Sequence, residues 1–104
     1  MHVVIFEVEP HENRGSRYFD LAGELRTELE KIDGFISVER FESLSRKGRY
    51  VSLSFWRDEA AIAQWRAHVG HQAAQREGLG GIFRDFRIRV ASVVRDYSLA
   101  DRSR

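Results

Sequence analysis

The order in which the hydrophobic period switches along this chain constrains its fold more than any other feature. Strand-type alternation gives way to helical spacing, two further stretches of alternation follow, then helical spacing, then alternation again. At the start, Val4, Phe6 and Val8 share one face while Val3, Ile5, Glu7 and Glu9 share the other, and Pro10 ends the strand. A polar stretch from His11 to Ser16 follows, and Tyr18, Leu21, Ala22, Leu25, Leu29 and Ile32 then recur at a spacing that predicts a helix over 18–32. Asp33-Gly34 closes it, because glycine takes the left-handed conformation without a Cβ clash.

Phe35–Phe41 and Tyr50–Trp56 read as hairpin partners across the polar turn Ser43–Gly48. In the second of these strands Val51, Leu53 and Phe55 point one way and Ser52, Ser54 and Trp56 the other. Asp58 and Glu59 put negative charge where a helix N-terminus favours it, and Ala61, Ile62, Trp65 and Val69 continue at helical spacing. Gly70 is expected to break or kink this helix, with one or two further turns before the flexible run Gly78-Leu79-Gly80-Gly81. The last strand is expected over 82–97. That is long against the usual strand of about five or six residues, so a bend or bulge is expected in it.

The resulting β-α-β-β-α-β order is the split βαβ arrangement, an α+β fold in which an antiparallel four-stranded sheet carries its helices on one face. The other face then needs cover. Val3, Ile5 and the end of the last strand, where Ala91, Ser92, Val93 and Val94 are apolar or small on both sides, point to a second copy of the chain, a homodimer. At 104 residues there is room for one domain, read as residues 1–97, with Ser98–Arg104 as a flexible polar tail.

Charge and cysteine usage exclude several functions. The net charge of +1, with acids and bases interspersed, argues against a nucleic-acid binder. Without cysteine there are no disulfides, no thiolate catalysis and no Zn–S site, so any chemistry uses oxygen and nitrogen groups. No apolar run reaches the roughly 20 residues that cross a bilayer, and the opening MHVVIFEVEP meets an acid before it makes a signal core. The reading is a cytoplasmic protein with no membrane partner. Lys47-Gly48 resembles the start of an RNA-recognition signature, but Arg49 stands where an aromatic residue should stack a base.

Ser52 to Gln75, SLSFWRDEAAIAQWRAHVGHQAAQ, resembles the strand-then-helix signature of the antibiotic biosynthesis monooxygenase family. The likeness lies in a strand ending in an aromatic, an acidic helix start, a tryptophan nine residues after Trp56, and then His71 and Gln75. It implies a ferredoxin-like protomer, paired sheets in a dimeric α/β barrel, and a pocket between sheet and helices in each protomer. It also implies a monooxygenase that needs neither metal nor flavin and acts with dioxygen on an electron-rich aromatic or quinol. One fold hosts many activities, so a non-catalytic small-molecule sensor dimer remains the rival reading.

The resemblance makes Trp65 a pocket wall whose indole N–H donates to a bound oxygen. Its helical spacing alone makes it a core anchor. His71 is the candidate base at neutral pH, or else a partly exposed histidine after a helix break. Gln75, one turn later, is placed to fix a substrate oxygen or simply to be solvated, and His68, three residues before His71, is a further substrate-binding candidate. Two histidines without a third ligand make no metal site, and none is assigned. Tyr18, Phe19, Phe83 and Phe86 are candidates for an aromatic lining or for ordinary core. His2 and His11 read as surface residues, and Arg84, Arg87 and Arg89 as a solvated basic row. The haem-degrading branch of the same family carries a histidine ten residues after the tryptophan, where this chain has Gln75, and an asparagine in its first strand, where this chain has none. No cofactor is therefore expected, and haem through His71 or His68 is kept as the alternative.

Overall fold

The computed structural model describes residues 1–102. The elements are β1 (His2–Pro10), α1 (Gly15–Leu29), β2 (Phe35–Glu42), β3 (Tyr50–Trp56), α2 (Glu59–Ala67), α3 (Val69–Glu77), a five-residue wide turn at Gly78–Ile82, β4 (Phe83–Ser92) and the single turn α4 (Leu99–Arg102). The strands lie in the order β2-β3-β1-β4, every neighbour antiparallel, which is the ferredoxin-like arrangement. Of the expected polar tail, Ser103 and Arg104 lie outside the described residues. No helix is long and apolar enough to cross a membrane among the described residues.

Alternation decides which side chains meet the helices. Val4, Phe6 and Val8 share the helix-covered face with Val38, Ser54 and Trp56, because the register pairs Val4 with Ser54 and Ser54 with Val38. The buried residues there form two clusters. Val8, Tyr18, Leu21, Ala74 and Ile82 make one, and Leu29, Trp56, Ala61 and Ile62 make the other, with Phe35 and Trp65 packed against it. Trp56 is 1% exposed and donates its indole N–H to Ser54 Oγ at 2.9 Å, so the polar atom of a buried aromatic is satisfied inside the fold.

Local chemistry explains the connections. Gly34 has φ +95 and sits so close to α2 that a Cβ there would come within 2.7 Å of the Ala61 methyl, which leaves glycine as the residue that fits. Asp58 caps α2 by accepting from the Ala61 N–H at 2.9 Å. The expected helix over 18–32 is observed at Gly15–Leu29. Its last expected residues close instead in tighter turns, with Lys31 N–H donating to Glu28 and Ile32 N–H to Leu29.

Two other expectations need correction. Gly70 does not break the second helix. His68 does, with extended backbone at φ −64 and ψ 134, its N–H held by the Trp65 carbonyl at 3.0 Å and its carbonyl already accepting from Gln72. β4 stops at Ser92 rather than Tyr97, because a strand lasts only as long as its partner. His2 pairs with Ser92, and the final bond runs from Val93 N–H to the Met1 carbonyl at 2.9 Å. The expected irregularity is present where Glu9 pairs with Asp85 and Pro10 with Phe83, leaving Arg84 as the extra residue of a bulge.

The reverse face of the sheet is apolar in its middle, where Val3 lies opposite Phe55 and Ile5 opposite Leu53, all half-buried. At one end it becomes charged. Glu7 accepts from Arg49 at 3.0 Å and from Arg89 at 3.2 Å, and these contacts, the Arg49 hydrogen bond foremost, hold its carboxyl below the usual range. Arg84, Arg87 and Arg89 are all exposed, as expected of a solvated row, and two of them are paired with acids, Arg84 to Glu9 at 3.7 Å and Arg89 to Glu7 at 3.2 Å.

Candidate active site

Between the helices and their face of the sheet lies a cavity of about 330 Å³, at the small end of the roughly 300–1,000 Å³ typical of ligand pockets. Its sheet wall is made by Val4, Phe6, Arg40, Ser52, Ser54, Ile88 and Val90, and helices contribute Tyr18, Leu25, Trp65, His71 and Gln75. The space exists for a sequence reason. Arg40, Ser52 and Phe6 lie side by side across β2, β3 and β1, and two serines on β3 leave room that larger residues would fill.

The helical wall depends on the break at His68. Extended backbone at that residue turns α3 away from the course of α2, and His71 comes to rest with its ring 5.0 Å from the Trp65 indole, tilted by 39°. The His68 ring lies 5.2 Å from the same indole at 30°. His71 lines the cavity, and its Nδ1 is buried with no hydrogen-bond partner among the described residues. Burial holds its pKa below the ordinary imidazole value. A hydrogen bond with the Arg66 main chain works the other way, and the charges of His68 and Arg66 add to the lowering. His71 is accordingly neutral at pH 7 and has a lone pair to accept a proton.

An ion pair fastens the end of this wall. Arg17 on α1 grips Glu77 at the end of α3 with two parallel bonds, through Nε and through Nη2, the latter at 2.8 Å to Oε1. The hydrogen bonding lowers the Glu77 pKa and raises that of Arg17.

The residues singled out in the sequence are distributed as follows. Trp65, His71, Gln75, Tyr18, Phe83 and Phe86 all line the cavity, Gln75 from an exposed position. Tyr18 is 5% exposed with its ring 6.1 Å from that of Phe83, and Phe83 is 5.9 Å from Phe86. His68 lies outside the lining and faces Glu28 of α1, Nε2 to Oε2 at 3.5 Å. Phe19 is also outside, packing edge-on against Tyr50 at 5.0 Å. Among the described residues no group of three or more His, Asp or Glu side chains is placed to hold a metal ion.

Sequence reasoning passed over Arg40, Ser52 and Ser54 as site residues. The parity of the strands held the signal. An arginine two residues after Val38, on the strand that pairs with the Ser52–Ser54–Trp56 face, points inward with them.

Comparison with known proteins agrees with this architecture. The family model described as antibiotic biosynthesis monooxygenase matches residues 1–77. A jasmonate monooxygenase of Pyricularia oryzae is 45% identical over 93 residues, which is 89% of this chain and 43% of that protein. The chain thus spans less than half the length of that relative. A Bacillus subtilis protein of uncharacterised function, YqjZ, is 32% identical over 94 residues, 90% of this chain and 80% of that one. Among solved structures, an antibiotic-biosynthesis-monooxygenase-type protein from Deinococcus radiodurans superposes with a TM-score of 0.84 over 95% of this chain and 98% of its own, at 15% identity, a likeness of fold alone.

Proposed function

This chain belongs to the antibiotic biosynthesis monooxygenase family, and from that premise we propose that it is a cofactor-independent monooxygenase acting with dioxygen on an electron-rich aromatic or quinol-type small molecule. The observation that carries the reading is the pairing of Trp65 and His71, rings 5.0 Å apart, on the wall of one cavity, with His71 Nδ1 buried and without a hydrogen-bond partner among the described residues. A half-buried neutral imidazole beside an apolar chamber suits the removal of a proton from a phenolic or enolisable substrate.

The steps balance without a bound redox group. His71 takes a proton, and the substrate anion passes one electron to dioxygen. The two radicals recombine at the substrate carbon to give a peroxide. Loss of water from it leaves a carbonyl where a CH₂ stood, so one oxygen atom enters the product and the other departs as water, while His71 returns its proton. Trp65 walls the chamber, and Phe83 and Leu25 give the anion apolar surroundings. Oxygen uptake with a panel of quinols and anthrones tests this. Jasmonate belongs in the panel because a relative 45% identical over 93 residues bears its name. Ligand binding with no oxygen uptake across the panel overturns the reading in favour of a binding or sensor dimer.

The half-buried apolar strip of Val3, Ile5, Leu53 and Phe55 supports assembly of two copies back to back through the reverse sheet face. Light scattering at micromolar protein is expected to give twice the 12.1 kDa chain mass. His71, as the one histidine on the cavity wall, supports haem as the alternative ligand. A Soret band on hemin titration that disappears in His71→Ala would favour it.

A further inference from the structure

The cavity is mostly apolar, yet it contains the side chain that is hardest to leave there. Arg40 projects from β2 beside Ser52 and is half-buried, and its Nε is buried with no hydrogen-bond acceptor among the described residues. Among the described residues no carboxylate lies within 4.0 Å of its guanidinium. Arg17, Arg26, Arg46, Arg49, Arg57, Arg84 and Arg89 by contrast each have at least one, and Arg14, Arg66, Arg76, Arg87 and Arg95, which have none among the described residues, are exposed. An arginine cannot escape the cost of burial by losing its proton, so an unpaired donor in an apolar chamber needs an anion or a strong acceptor. The guanidinium interacts with the Tyr18 hydroxyl, a neutral group that supplies no charge.

Four buried side-chain polar atoms lack a hydrogen-bond partner among the described residues, those of His2, Arg40, Arg49 and His71, and two of these residues, Arg40 and His71, line this one cavity. Native proteins keep such groups few, and two on one chamber mark it as shaped for a ligand with polar groups at two places.

We propose that the cavity selects anionic lipophilic substrates, monocarboxylates above all, whose carboxylate is held by the Arg40 guanidinium while the apolar body occupies the chamber against Phe6, Val4 and Leu25. This rests on the reading of the cavity as a substrate site and adds to it the class of substrate. A planar guanidinium accepts a carboxylate through two parallel bonds, which fixes orientation as well as affinity. The anchor then sets which carbon of the bound molecule reaches His71. Arg66, the other arginine on the lining, is solvent-exposed on α2 and has no such need of a partner.

The test is calorimetric titration of the wild-type protein with naphthylacetate and with its neutral primary amide, two ligands of nearly equal shape. The wild type is expected to bind the acid about 10- to 100-fold more tightly. Arg40→Met should erase that preference while leaving the amide affinity within about twofold, Arg40→Lys should retain part of it, and Arg66→Met should leave it intact. Equal affinity for acid and amide in the wild type overturns the proposal without recourse to any variant, as does failure of both to bind. A preference that survives Arg40→Met in a protein with unchanged circular dichroism overturns it too. Oxygen uptake measured alongside separates the two readings. Acid preference without turnover keeps the anion site and removes the monooxygenase, whereas turnover of neutral quinols without acid preference does the reverse.

Discussion

The two walls of the cavity are built on opposite terms. The helical wall, with Trp65 and His71, is assembled from two short helices joined at an extended residue, and it carries a half-buried imidazole whose pKa burial lowers. The sheet wall, with Arg40, Ser52 and Ser54, sits on paired strands whose register leaves each side chain one direction to point, and its chemistry is a fixed positive charge. Rigid elements place a binding group well, and a helix junction brings distant residues together for reaction. If the proposals above hold, labour is divided between the walls: the sheet wall selects and the helical wall reacts.

Removing what both walls share should have the largest effect. Trp56 is 1% exposed, packs edge-on against Phe35 at 5.3 Å, and lies in the cluster that Trp65 joins. Trp56→Ala is expected to cost about 3–5 kcal/mol in urea unfolding and to weaken both substrate affinity and turnover together. A variant that kept either property intact would show that the walls are supported separately.

His71→Ala comes next and should separate them. Loss of a positioned base lowers kcat by about 10²–10⁴-fold, while the preference for acid over amide at the sheet wall stays as in the wild type. If the His71 variant instead changed ligand preference and left kcat alone, the division between the walls would be reversed.

The two walls also differ in how readily the sequence reveals them. The β-α-β-β-α-β order was legible throughout, because alternation and helical spacing report directly on burial. His71 and Trp65 were found through a motif. Their contact was not legible, since it depends on the backbone of His68, and a glycine two residues on looked the more natural place for a break. Arg40 was missed for a different reason. A charged residue in a strand is usually on the wet face, and only the pairing of β2 with β3 shows that this one faces inward. The end of β4 was misjudged because strand length there is set by where β1 begins, a fact stored about ninety residues away.

A smaller effect probes the sheet wall alone. Ser54 is 9% exposed and accepts the Trp56 indole N–H at 2.9 Å, so Ser54→Ala leaves a buried donor unpaired. About 1–3 kcal/mol of stability should be lost, by denaturant titration, with the His71-dependent step unchanged once the protein is folded.

The smallest expected effect is on pH, and it should split the walls to opposite ends of the scale. Burial keeps the His71 pKa below its ordinary 6.5, so the folded protein binds fewer protons at this site than the unfolded chain does. Stability is therefore lost as pH falls from about 6.5 towards the folded value and levels off below it, and the acid limb of kcat/KM lies below 6.5 as well. Beside Arg40 the titrating group is Tyr18, whose pKa burial raises above the ordinary 10.0 while the Arg40 charge and hydrogen bond oppose the rise. Here the unfolded chain loses its proton first, and stability falls as pH climbs above 10.0. Arg40→Met removes the opposing influence, pushes the tyrosine higher and steepens the alkaline loss without touching the acid side. His71→Gln flattens the acid loss without touching the alkaline side. Thermal melts of the three proteins across pH would read this crossed pattern, and a variant that altered both limbs would mean that the two walls titrate as one.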